Sequence, residues 1–166
     1  MFKNLPKALL PLSMTFLLSG CLAGGTPANE WVISQYDEFS GIQSFCAKLD
    51  DSVSLYLSGA IEEGVYLEDI SQLDQELSGM EKAKADENIK PGTFTENTMA
   101  AKEGYDDIWK SLRTLIDTMQ TDETVLNDKD ALSYLYLAYH DQMKKDVNKY
   151  ITGYNEAVTA ETKEEE

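Results

Sequence analysis

Phe39, Ile42, Cys46, Leu49, Val53, Tyr56 and Ala60 recur at alternating steps of three and four. A helix completes a turn in 3.6 residues, so this spacing gathers all seven on one face. A seam held over this length is satisfied by other helices laid lengthwise against it. Val32 or Tyr36 extends the stripe backwards. Gly41 and Gly59 fall inside the run, each at a cost of about 1 kcal/mol relative to alanine, and Gly64 is the expected stop.

Three further segments repeat the pattern. Leu67, Ile70, Leu73, Leu77 and Met80 make a narrow stripe flanked by Glu68, Asp69, Asp74, Gln75 and Glu76, and Lys90-Pro91-Gly92 ends the region. Thr93-Phe94-Thr95-Glu96 reads as a capping box, in which a hydroxyl and a carboxylate three residues apart satisfy free amides at a helix start. The helix it opens carries Met99, Tyr105, Ile108, Trp109, Leu112, Leu115, Ile116 and Met119. Thr121 to Leu126 is read as a connection. Asn127 with Asp130 then signals the start of a last helix through Leu132, Leu135, Tyr139, Met143, Val147, Tyr150, Ile151 and Tyr154. Pro91 is the only proline after Pro27, and no period-two run is sustained, which argues against an all-β domain. The expected fold is all-α: a four-helix up-down bundle, or a three-helix core with the weakly striped second helix at its periphery.

The start of the chain has a different character. Lys3 and Lys7 precede an apolar run from Ala8 to Leu18, which closes on Leu18-Ser19-Gly20-Cys21. This resembles the lipobox of bacterial lipoproteins. The basic start, short apolar core and small residues before the cut fit a secretory signal, and the run is shorter than the about 20 residues that span a bilayer. The resemblance implies that Cys21 is acylated and becomes the first residue of the exported product. It implies two or three acyl chains on that thiol, and stable anchoring needs at least two. It also implies an outer-membrane destination if the source is Gram-negative, because Leu22 rather than aspartate follows the cysteine. The resulting organisation is a signal peptide at 1–20, a lipidated tether at 21–29, a helical bundle at 30–158 and an acidic disordered tail at 159–166.

Charge narrows the function. The chain has 30 acidic and 14 basic residues, a net charge of −16. Without Lys3 and Lys7 it has 12 bases against 30 acids, a net −18. Nucleic-acid binding, which needs a basic face, is not expected. Anionic headgroups repel such a surface, so the acyl chains must hold the protein to the membrane. With Cys21 lipidated, Cys46 is left without a disulfide partner and is read as a buried thiol packing as a small apolar group.

No catalytic or cofactor signature is found. The one histidine, His140, has Leu137 three residues before it, so the Glu-x-x-His pair of a di-metal bundle is missing. A zinc set cannot be assembled from one imidazole without a cysteine cluster. Asp122 to Asp130 lacks the glycine and closing glutamate of a calcium loop. Neither common glycine-rich phosphate loop occurs. A serine or Cys46 folded against His140 is the one hydrolytic arrangement to check.

Five of the nine tyrosines, Tyr134, Tyr136, Tyr139, Tyr150 and Tyr154, crowd the last helix. Tyr139, Tyr150 and Tyr154 fall on its apolar stripe. Tyr134 and Tyr136 cannot both share that face, and tyrosine suits interfaces because it is half apolar and half polar. These two are the candidate partner face. The function expected is a non-enzymatic, lipid-anchored envelope protein that binds another envelope protein through this helix. The alternative is a lipoprotein that binds a small molecule or ion.

Overall fold

A computed structural model describes residues 26–84 and 94–164, with side chains to 160. Cys21, Pro91 and Thr93 lie outside the described residues. The described chain is all-α: α1 (Pro27–Ser58), α2 (Glu63–Ala83), α3 (Glu96–Thr121), the short α4 (Glu123–Asn127) and α5 (Lys129–Glu164).

Local chemistry sets the helix ends. Thr26 caps α1 by accepting the Asn29 amide at 3.3 Å, and Pro27 occupies the first turn, where its missing N–H costs nothing. Ala28 and Asn29 are buried, so the folded part begins ahead of the boundary at 30. The helix stops at Gly59, whose φ of 78° is the left-handed conformation that glycine adopts without a Cβ clash. This corrects the expected stop at Gly64, which lies in the first turn of α2, and it leaves Ala60 exposed beyond the seam. Thr95 caps α3 in a reciprocal pair with Thr98, so the capping box sits two residues later than the Thr93–Glu96 reading and uses a hydroxyl in place of the glutamate. Asp122 caps α4 inside the segment read as a connection. Asp128, not Asn127, takes the Asp130 amide at 2.8 Å at the start of α5. That helix runs to Glu164, through most of the segment read as a disordered tail.

The four long helices meet in the order α1–α2–α3–α5, and α5 also closes on α1. Side-chain pairs give the directions. Lys48 meets Glu76 while Tyr56 stacks on Tyr66, so α1 and α2 run antiparallel. Lys84 reaches Asp106 while Arg113 reaches Asp74. Lys149 meets Glu103 while Ser111 meets Asp146. Cys46 meets Tyr139 while Tyr150 donates to the Val32 carbonyl. Every one of these neighbouring pairs is antiparallel.

The core combines Phe39, Ile42, Phe45, Leu49, Val53 and Tyr56 of α1 with Tyr105, Ile108, Leu112 and Ile116 of α3 and Leu132, Met143, Val147 and Tyr150 of α5. In α1, Phe45 takes the fully buried place that the stripe gave to Cys46, which is partly buried at the edge facing α5. In α2 the buried line is Tyr66, Ile70, Leu73 and Leu77, and Leu67 is exposed. The steps of four, three and four favour Tyr66, and stacking on Tyr56 at 4.3 Å fixes it there. Surface ion pairs lace the helices, most densely where Arg113 of α3 reaches Asp74 at 2.5 Å and Glu81 at 2.6 Å on α2.

Candidate functional site

Helix α5 carries the residues singled out from the sequence and presents three chemically different faces. Its outer face carries Asp130, Tyr134, Leu137 and Asp141, at steps of four, three and four, all exposed. Tyr134 is 74% exposed and Leu137 58%, the two most exposed large apolar side chains among the described residues. Helical spacing sets Tyr134 about 180° from the buried stripe through Leu132, Tyr139 and Tyr150. Tyr136 departs from the expectation. It is only 6% exposed, and its hydroxyl donates to Asp50 of α1. Two residues along a helix turn the side chain through about 200°, so exposing Tyr134 buries Tyr136.

The face of α5 toward α1 is a polar cluster in aromatic surroundings. Asp50 receives Tyr136 and lies 3.1 Å from His140 Nε2, with the His140 ring edge-on to Tyr136. One turn along, Cys46 Sγ is 3.5 Å from the Tyr139 hydroxyl. Burial is the main force on these groups. It pushes the Cys46 thiol up to about 11, with the Tyr139 hydrogen bond only partly opposing it. Burial and the Asp50 carboxylate also push Tyr136 well above the ordinary phenol range. Cys46, His140 and Asp50 are therefore neighbours, as a nucleophile, a base and an acid would be, but the connections differ. Cys46 is bonded to Tyr139, and His140 and Tyr136 share Asp50. A thiol held protonated has little nucleophilic character. Tyr66 of α2 adds a buried hydroxyl without a hydrogen-bond partner.

The face toward α3 is lined by small residues. A Cβ on Gly104 would stand 2.8 Å from Asp146 O and Tyr150 N, and one on Gly153 would stand 2.5 Å from Ala101 Cβ. Both helices need glycine there for their backbones to meet. Farther along, between Ser111, Thr114 and Thr118 of α3 and Leu135, Ala138 and Gln142 of α5, a groove of about 420 Å³ opens. At the end nearer the glycine contact Asp146, 3% exposed, accepts Gln142 Nε2 at 2.8 Å and Ser111 Oγ at 3.3 Å.

The sequence reading missed Asp50 and Asp146. Asp146 had a visible signal, since Met143, Asp146, Val147 and Tyr150 follow the buried spacing and one of the four is a carboxylate. Asp50 follows Leu49 on α1 and gave no signal before α5 was docked against it. Among the described residues, no group of three or more His, Cys, Asp or Glu side chains is placed to hold a metal ion, and no helix is long and apolar enough to cross a membrane. Comparison with family models, with curated proteins and with solved structures found no match.

Proposed function

We propose that this chain is a lipid-anchored cell-envelope protein whose helical domain is a non-enzymatic module for binding another envelope protein. The anchor is Cys21, on the strength of the lipobox-like Leu18-Ser19-Gly20-Cys21. Helix α1 starts at Pro27. The five intervening residues can span at most about 18 Å, so the domain rides close to the membrane. The observation that carries the binding role is the outer face of α5, where Tyr134 and Leu137 are exposed between Asp130 and Asp141. An apolar centre with an acidic rim suits a partner pocket bordered by lysine or arginine, with tyrosine supplying rigid, half-polar contact area.

Site-specific photocrosslinking from position 137 in intact cells tests the role. A discrete crosslinked protein is expected, and it should disappear when Tyr134→Ser is added. A crosslinker placed at exposed Glu156, farther along α5, should not capture it. Recovery of no discrete species, or of the same species from both positions, contradicts the reading.

A further inference from the structure

We propose that the groove between α3 and α5 binds a small organic ammonium compound, with Asp146 as the counter-charge. The groove is a consequence of how the two helices are joined. Gly104 and Gly153 bring the backbones together at one end, and beyond them the facing side chains are too short to fill the space. Its volume of about 420 Å³ falls within the range of about 300–1,000 Å³ common for small-molecule sites.

Asp146 supplies the chemistry. Its side chain is buried at the groove wall, and both of its hydrogen-bond donors, Gln142 and Ser111, are neutral. Lys149, three residues along α5, makes its direct ion pairs with Glu103 at 2.8 Å and Asp107 at 3.7 Å and reaches Asp146 only through longer-range attraction. The only cation lining the groove is Lys110, which is exposed. Leu115, Leu135 and Tyr139 supply an apolar wall. A protonated amine on an apolar body matches both parts, its N–H groups toward Asp146 and its hydrocarbon along that wall. The net charge of −16 raises the local concentration of such a cation. This site is separate from the outer face of α5, and neither proposal depends on the other.

Calorimetric titration of the detergent-solubilised full chain with phenethylamine tests the proposal, with 2-phenylethanol as the uncharged analogue of similar shape. Saturable binding of the amine is expected, with the alcohol at least tenfold weaker. Ala138→Trp, which fills the groove from an exposed position, should abolish binding. Asp146→Asn should weaken the amine at least tenfold and leave the alcohol unchanged. If Asp146→Asn does not fold, Ala138→Trp and the paired analogues still decide the matter. Tyr134→Ser should leave amine binding intact, which separates this site from the partner surface. No saturable binding, equal affinity for amine and alcohol, or undiminished binding to Ala138→Trp would overturn the proposal and leave Asp146 with a structural role only.

Discussion

The two buried faces of α5 solve one packing problem in opposite ways. Toward α1 the helix offers large rings: Tyr139, Tyr150 and Tyr154 fill the space, with Tyr150 stacked on Phe39 at 4.9 Å and Tyr154 on Tyr36 at 5.0 Å. Large rings hold the backbones apart and bring hydroxyls inside, so this interface needs Asp50, Cys46 and the Val32 carbonyl as partners. Toward α3 the helix offers glycine, and backbone nearly touches backbone. That contact needs no polar partner, but it leaves a groove where the glycines give way to short polar residues. A single apolar stripe thus yields a hydrogen-bonded polar cluster on one side and unfilled space on the other. Residue size decides which.

The contrast can be broken most forcefully at the glycine contact. Gly153→Leu should destabilise the domain by about 3 kcal/mol or more, because nothing flexible can yield to it and overpacking of this kind is costly. Gly79→Ala is the control. Gly79 lies in α2 with open space around it, and the substitution should stabilise by about 0.5–1 kcal/mol through helix propensity alone. Chemical denaturation measures both. If Gly153→Leu is neutral, the backbones are not in contact as described.

On the α1 side, Asp50→Ala should cost about 2 kcal/mol, because it leaves the buried Tyr136 hydroxyl and the His140 ring nitrogen without their shared acceptor. Tyr136→Phe in the Asp50→Ala background should recover part of that loss, which a double-mutant cycle would detect. A simple sum of the two single effects would mean that the cluster is not coupled.

A smaller effect concerns Cys46. With its thiol raised from 9.0 to about 11, its thiolate fraction near pH 8 is about 100-fold below that of a free thiol. Modification by a disulfide reagent in a Cys21→Ser background should be slowed at least to that degree, and unfolding should restore the ordinary rate. The same shift links stability to pH. A proton kept by the folded form and lost by the unfolded form contributes stability that is complete below pH 9 and declines as pH rises toward 11. Cys46→Ala should remove that part of the alkaline loss, as read from unfolding midpoints across the range. The raised tyrosines act in the same direction and will remain.

Periodicity made the helices legible, and where it misplaced an end the reason was local. Gly59 and Gly64 are equally plausible stops by type. The chain takes the earlier one because the Gly59 and Ala60 amides find the carbonyls of Tyr56 and Leu55. Tyr66 and Leu67 differ by one position, and the ring of Tyr56 across the interface fixes the choice that spacing only favours. Tyr134 and Tyr136 looked equivalent as surface candidates until the position of Asp50 was fixed. The last two depend on a partner on another helix, which spacing along one helix does not encode. A glycine inside a helix, read singly, only weakens it. Gly104 against the Asp146–Tyr150 backbone and Gly153 against Asn97 and Ala101 instead let α3 and α5 approach backbone to backbone.

The functional account turns on Cys21. Intact-mass analysis of the membrane fraction from expressing cells tests it directly. The account predicts a species that begins at Cys21, carries the mass of two or three acyl chains, and leaves the membrane when Cys21→Ser is introduced. A species that retains residues 1–20, or an unmodified Cys21 on a protein whose membrane attachment is unaffected by Cys21→Ser, would contradict it.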